Sequence, residues 1–527
     1  MAAARLVDAG LRVQMLDVGL LPNHYGSSVP DRPFLEARRR DPNQARYLLG
    51  DRREGVPLGK QMVGALLTPP RQYVLEPTDS IRSPIRTSGD VEIRQSLALG
   101  GLGAAWGASC FTYSPAELLR MGLAPDEFPR LYSEVAAEIG VSGAAEDDCC
   151  PFSFSETRYL QPPVDLDANA RRTMEAYSRN RAALNARGVH LGRSYLAVLT
   201  RDLGERRANP YFDLDFYHDH GESVYRPAIT IGQLRTRENF TYSGGVIVHG
   251  FAEPAQGAVT VFGRDLVGGA AKEYRARALL LCAGSVNSAR IAFGGLGAEA
   301  AETTFLNSPA AFFPCVNFTM LGRRPDHRRL SLAQISGILA PPDDPAELVS
   351  FQINHYSSLL LFKLVKEMPL PPWAGLLVAR LLVSSLSIVG VYHADAPNPR
   401  TSLRLSRAKE GGAANVEIAH TPDPAIERVR TARERLVLSG MRKLRYVPLG
   451  AVRPKWGTSM HYAGTIPMTA DGAASVLSTD GEYRLRGTRS VFVGDSSTWR
   501  YLPAKGLTFT IMANARRAAE RVLGSLR

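Results

Sequence analysis

The sequence predicts an α/β protein: a Rossmann-like nucleotide-binding domain that carries an inserted α+β domain, an antiparallel sheet plus helices. Three observations predict it. The chain opens on a helix, a glycine and an apolar strand that ends in an acid, Asp17. A second apolar strand, 276–281, runs into small residues and then a helix. A third, Val491 to Val493, leads through Asp495 to a last helix. Strand, tight turn and helix in succession build the sheets whose strand ends bind dinucleotides. The chain has 527 residues, enough for two domains sharing an interface. The nucleotide-binding domain is expected to be discontinuous, from 1–135, 225–304 and 456–527, with 136–224 and 305–455 forming the substrate-binding domain.

The first element, Ala2 to Gly10, reads as a helix. Leu6, Val7 and the alanines share one side, Arg5 and Asp8 the other, and Gly10 suits a C-cap. Arg12 to Gly19 reads as a buried strand, and in a dinucleotide-binding βαβ unit Asp17 would hydrogen-bond the adenosine ribose. The strand and GxGxxG loop that should come first would place a pyrophosphate on the helix N-terminus. Nothing precedes Met1, so the expectation is a start cut inside the motif, with roughly 15 to 30 residues upstream in the native protein. A sheet without that strand exposes its neighbours' edges. The other reading keeps Met1 as native and Asp17 as an ordinary strand-end carboxylate.

Residues 80–96 read as an irregular connection. Leu99 to Ser109 follows, with Gly100, Gly101, Gly103 and Gly107 around Trp106. Glycines at this density allow the backbone to approach a flat ligand, and the indole offers an aromatic face. Helices are expected over 115–123, 129–139 and 168–188. The His218-Asp219-His220 cluster has metal-binding residue types but no further ligands at workable spacing, so no metal is predicted. Phe240 to Val248 reads as a strand with 258–262 as its hairpin partner. The strand ending at Leu281 leads into Cys282-Ala283-Gly284, a second place for backbone to meet a dinucleotide.

Most of the substrate-domain sheet is expected in 305–455, with strands at 350–356, 387–392 and 401–405 and a basic helix at 425–443. Residues 359–391 are the most apolar stretch. Charges and prolines interrupt it, so it does not span a bilayer. Trp373 to Leu382 reads first as a core helix and second as an apolar lip touching a membrane.

Lys and Arg outnumber Asp and Glu, 63 to 51, for a net charge of +12. The excess is scattered arginine, with no basic element bearing interleaved aromatics, which argues against nucleic acid. Five cysteines without a CxxC suit a reducing compartment, and no secretory signal is visible, so a cytoplasmic location is expected.

The final motifs carry the strongest resemblance. His461-Tyr462-Ala463-Gly464-Thr465, the strand ending at Asp495, and Pro503-Ala504-Lys505-Gly506 before the last helix occur in one order. Together with GG-x-x-x-x-WG from Gly100 to Gly107 and AG-x-x-x-S from Ala283, this chain resembles the glucose–methanol–choline (GMC) flavoprotein oxidoreductases. The resemblance implies a Rossmann-like FAD-binding domain and FAD as cofactor. It implies oxidation of an alcohol to a carbonyl, with hydride passing to flavin N5 and His461 accepting the hydroxyl proton. Along the flavin it would place Gly100, Gly101, Trp106, Gly107, Ala283 and Gly284. It would set Asp495 by the ribityl chain, Thr508 and Thr510 by the pyrimidine edge, and the backbone of Val248 at the adenine. Lys505 departs from the His or Asn common there; it is expected as a cation near the substrate oxygen or reduced flavin, with Lys505 as base the alternative. The substrate would be a small-molecule alcohol, a sugar-like polyol or a hydroxylated natural product, with the electron acceptor open. Two other readings remain: a lyase with structural FAD, and an inactive flavin-free fragment.

Overall fold

The computed structural model describes residues 1–55, 66, 68–75, 85–154, 157–254, 258–344, 347–355, 365, 368–407, 413–469 and 476–527. The expected connection at 80–84, Tyr356 of one expected strand, and 359–364 with 366 and 367 of the apolar stretch lie outside them. Helices and sheets are mixed throughout the described residues.

The largest sheet has six strands, all antiparallel to their neighbours: Tyr446–Pro448, Ala310–Asn317, Leu386–Tyr392, Val349–His355, Ile335–Leu339 and Val189–Arg193, in that spatial order. Its strands are rich in Val, Ile and Phe, residues that pack well on a pleated surface. Phe313, Ile335, Val349, Phe351 and Val389 are fully or nearly fully buried between this sheet and the helices Ala168–Asn185 and Pro424–Lys443. Asp167 and Asp423 cap those helices by accepting backbone N–H groups.

The parallel part is in pieces. Val13–Leu16 pairs only with Phe240–Ser243, and Leu279–Leu281 pairs in parallel only with Val491–Val493. Among the described residues, Val13–Leu16 and Leu279–Leu281 each keep one edge without a ladder partner. Their residues are therefore less buried than an apolar strand of a closed sheet: Val13, Met15, Leu16, Leu279 and Leu280 are all half-buried.

Two expected strands are shorter than the pattern suggested. The run from Phe240 to Val248 breaks at Gly244-Gly245, where Gly245 has φ +73°. The chain then restarts as Val246–Ala252 in an antiparallel sheet with Val259–Asp265 and Ala271–Ala276. The run from 276 to 281 is likewise divided, with Ala276 ending that sheet and Leu279 starting the parallel pair.

The last helix, Thr508–Leu526, joins the layers. Phe509, Met512, Ala513, Ala518, Ala519 and Val522 are buried in the main core. Burial of the two large side chains, Phe509 and Met512, stabilises by roughly 1.5–3 kcal/mol each. The first helix, Ala2–Asp8, packs against it, and Arg5 meets Glu520 at 3.2 Å.

Candidate active site

The turn that carries His461 is built from strained backbone. Met460 has φ +61°, an uncommon region for a side-chain-bearing residue, and it redirects the chain immediately before the histidine. The Ser459 hydroxyl donates to Asn307 Oδ1 at 2.6 Å, and its oxygen accepts the His461 N–H at 3.4 Å. The His461 carbonyl accepts from Ser308 N at 3.3 Å. The backbone of His461 is thus tied to the loop between the strand Leu306–Asn307 and the six-stranded sheet.

The imidazole itself is differently treated. It lies near-parallel to the ring of Tyr392, with centroids 5.8 Å apart and planes at 27°. Its Nδ1 is buried without a hydrogen-bond partner. Burial lowers its pKa to about 4, so the ring is neutral at ordinary pH. Tyr392 is the last residue of the strand Leu386–Tyr392, and burial pushes its phenol up to about 12. Tyr392, Asn307 and Ser459 were not singled out in the sequence. Ser459 lies in the same turn as His461, while Asn307 and Tyr392 reach it from separate segments, and only the end position of Tyr392 on a predicted strand could have drawn notice.

Around His461 the other motifs knit together. Gly464 N donates to Ser496 O at 3.1 Å, Ser496 Oγ to Tyr462 O at 2.7 Å, and Thr465 Oγ1 to Ser285 O at 2.7 Å. Asp495 accepts from Gly284 N at 2.9 Å, from Ser497 N at 3.0 Å and from the hydroxyls of Ser288 and Ser497. Its carboxylate therefore binds the Ala283-Gly284 turn to the end of the strand Val491–Val493. On the other side Leu20 N donates to Leu97 O and Leu99 N to Leu20 O, both at 2.9 Å, which joins the Asp17 strand to the glycine segment. Trp106 Nε1 donates to Tyr225 O at 2.7 Å, and Ala108 follows with φ +56°. Gly506, before the last helix, lies against Ser109 at the end of the glycine segment.

Gly107, Ala283 and Gly284 are exposed and Asp17, Gly100, Gly101, Trp106 and Thr508 half-buried, whereas Asp495 is buried. Open space beside the glycine backbone fits a flat, extended cofactor such as FAD. A Cβ added at Gly101, Gly107 or Gly284 would meet nothing within 4 Å, so backbone there borders open space. Cys282, Ala283 and Gly284 are exposed although they end a core strand. Asp17 is half-buried, burial raises its pKa, and its side-chain partner is Tyr242 at 3.1 Å, which leaves acceptor positions for a ligand hydroxyl. Thr508 begins the last helix, whose N-terminus has no side-chain cap; the Thr510 hydroxyl instead meets Tyr132 at 2.9 Å. Val248 stands apart, on the sheet at 246–252 beside an irregularity in its pairing, though that strand starts by bonding the Asp17 carbonyl.

Lys505 does not face this open space, which corrects the expectation of a cation beside the substrate oxygen or flavin. Its side chain is fully buried. Nζ donates to Thr112 O at 2.7 Å and Phe152 O at 2.7 Å and pairs with Glu117 Oε2 at 2.7 Å. An ammonium has three N–H groups, and all three are engaged, so none remains for a substrate. Glu117 also completes a capping box with Ser114 at the start of the helix Pro115–Met121. His218 and His220 lie edge to face with centroids 4.5 Å apart; among the described residues no group of three or more metal-ligating side chains forms. A separate cavity of about 400 Å³ sits on the outer sheet, between Arg86, Glu302, Arg404 and Glu417, and contains none of these residues.

The GMC oxidoreductase family model matches residues 397–515. No curated protein matches the sequence. Among solved structures, pyridoxine 4-oxidase from Mesorbium loti is similar over 99% of this chain and 96% of its own, with a TM-score of 0.57 and 16% identity. An FAD-dependent oxidoreductase from Chaetomium thermophilum, in complex with a thiophen-2-yl butanamide fragment, is similar over 100% of this chain and 97% of its own, with a TM-score of 0.57 and 12% identity. At such identities the likeness is one of fold.

Proposed function

We propose that this chain, whose residues 397–515 match the GMC oxidoreductase family model, is an FAD-dependent oxidoreductase that oxidises an alcohol carbon of a small molecule to a carbonyl. The observation that carries this reading is the imidazole of His461: neutral, half-buried, aimed by a strained turn and without a partner on Nδ1. Bound FAD would supply the acceptor for hydride. The glycine backbone from Gly100 to Gly107 and the Ala283-Gly284 turn would hold its flat ring and chain. Asp17 would take the ribose hydroxyls, and the uncapped start of the last helix would lend partial positive charge to the pyrimidine edge. Asp495 is assigned a positioning role, since its carboxylate shapes the Gly284 turn.

The chemistry asked of the protein is removal of the hydroxyl proton while the carbon is held still. A neutral imidazole can accept that proton. Desolvation makes the resulting imidazolium costly, so proton acceptance is coupled to negative charge gathered in the same site. The Tyr392 ring stacked on His461 keeps the imidazole in one orientation and forms a wall against the substrate. A sugar-like polyol or a hydroxylated natural product is the proposed substrate class.

The test is anaerobic mixing of the flavin-loaded protein with a panel of alcohols. Loss of the yellow flavin band with appearance of a carbonyl product is the expected result. Product formed without bleaching would sink the oxidoreductase reading and leave the lyase. A protein that cannot be loaded with flavin would leave the inactive fragment.

A further inference from the structure

The helix Pro372–Leu382 is turned the opposite way from an ordinary surface helix. Its small residues, Gly375 and Ala379, face inward and are buried. Its large apolar residues face outward: Trp373 is 69% exposed and Leu377 57%, with Leu376 and Leu381 beside them. A core-facing helix does the reverse, because burying large apolar side chains is what stabilises it. The patch continues onto the segment that follows the strand Ala310–Asn317. Gly322 N donates to Leu381 O at 2.9 Å, and this brings Phe318 and Leu321, both exposed, alongside the helix.

The charged residues within these two segments are all arginines. Arg323, Arg324 and Arg380 are exposed, and none is in an ion pair among the described residues. Neither 318–324 nor 368–385 contains an Asp or a Glu, and the whole chain carries +12. An apolar face with a tryptophan, rimmed by arginines, matches a surface that is anionic outside and apolar beneath. A second copy of this chain fits poorly, because a two-fold contact through the patch would bring like-charged arginines together. A crossing of the membrane is not involved: eleven residues rise about 16 Å, half a hydrocarbon core. Among the described residues no helix is long and apolar enough to span.

We propose that this face docks on the surface of an anionic phospholipid bilayer, with the helix Pro372–Leu382 lying in the interface. Trp373 and the three leucines enter the headgroup–acyl boundary, and Arg323, Arg324 and Arg380 meet lipid phosphates. This assignment is independent of the reaction proposed above.

The test is flotation of the full chain with vesicles of phosphatidylcholine alone or of equimolar phosphatidylcholine and phosphatidylglycerol. The expected result is flotation with the anionic vesicles, loss with the neutral ones, and release by salt. The double variant Trp373→Ser/Leu377→Ser should lose flotation while keeping the wild-type melting temperature, since both side chains are exposed. The variant Arg323→Ser/Arg324→Ser/Arg380→Ser keeps the apolar side chains and should bind anionic vesicles roughly a hundredfold more weakly. Equal flotation of wild type and both variants, or no flotation of wild type, overturns the proposal. So does a concentration-dependent dimer that Trp373→Ser/Leu377→Ser abolishes, which would make the face a contact between copies.

Discussion

His461 and Lys505 look alike in the sequence: each is a basic residue in a short motif near the C-terminus, and each invites a role in proton transfer. Their surroundings differ completely. His461 is held by its backbone and left free at its ring. Lys505 is free nowhere, since three acceptors share its ammonium inside the core. Burial alone therefore does not distinguish a reactive group from a structural one. What distinguishes them is whether the polar atoms are satisfied. A buried nitrogen without a hydrogen-bond partner is costly in the empty protein. A buried saturated ammonium is a tie between elements, here from the start of the last helix to the capped helix at Pro115.

The largest expected effect breaks the tie. Lys505→Met should destabilise the protein by about 3–5 kcal/mol, because Glu117 is left charged and buried. The double variant Lys505→Met/Glu117→Gln should recover most of that loss in a denaturant titration. If Lys505→Met instead retains stability and loses turnover, the two residues are partners after all.

The next effect is on chemistry. His461→Ala should lower turnover by roughly a hundredfold while leaving bound flavin and melting temperature near wild type. Unchanged turnover removes His461 from the mechanism. A smaller effect sharpens the assignment of Tyr392. An aromatic pair contributes about 0.5–1.5 kcal/mol, so Tyr392→Leu should cost roughly threefold to tenfold in kcat/KM and Tyr392→Phe much less. A large loss in Tyr392→Phe would show that the hydroxyl, not the stack, matters.

The smallest effect is on pH dependence. The folded-state pKa of His461, about 4, lies below its ordinary 6.5, and His218 and His420 are lowered to the same value by burial. The unfolded chain therefore binds more protons between these values, and stability present above pH 6.5 is lost as pH falls toward 4. Denaturation at pH 7.5 and pH 5 should show the loss, and His461→Gln should reduce it. A loss of equal size in that variant would assign the dependence to other groups.

The motifs with local geometry were legible in the sequence. The first and last helices and the strand before Tyr392 follow from apolar periodicity over short windows. The resemblance around His461 and Asp495 was legible because order and spacing repeat a known arrangement. The environment of Lys505 was not, because its acceptors Thr112 and Phe152 lie on segments more than 350 residues away. Tyr392 was hidden because it comes to His461 from a strand of the six-stranded sheet. The break at Gly244-Gly245 was visible as residues but not as a fold change, since an isolated glycine pair also fits a bulge.

The divided parallel sheet also bears on how the protein opens. The inner strands of the six-stranded sheet are paired on both sides, so their amides exchange with solvent only through large openings. Val13–Leu16 and Leu279–Leu281 lean on one neighbour apiece, and short two-stranded pairs are marginal by themselves. Val13 and Met15 pack with the first helix, while Leu279 and Leu281 pack with the helix Ser285–Leu296 and the strand Val491–Val493. In a deuterium-exchange map these two strands would label early while Phe351 and Val389 stayed dark. Anything that clamps both strands at once would slow that labelling, giving a readout of occupancy at the nucleotide end that needs no turnover.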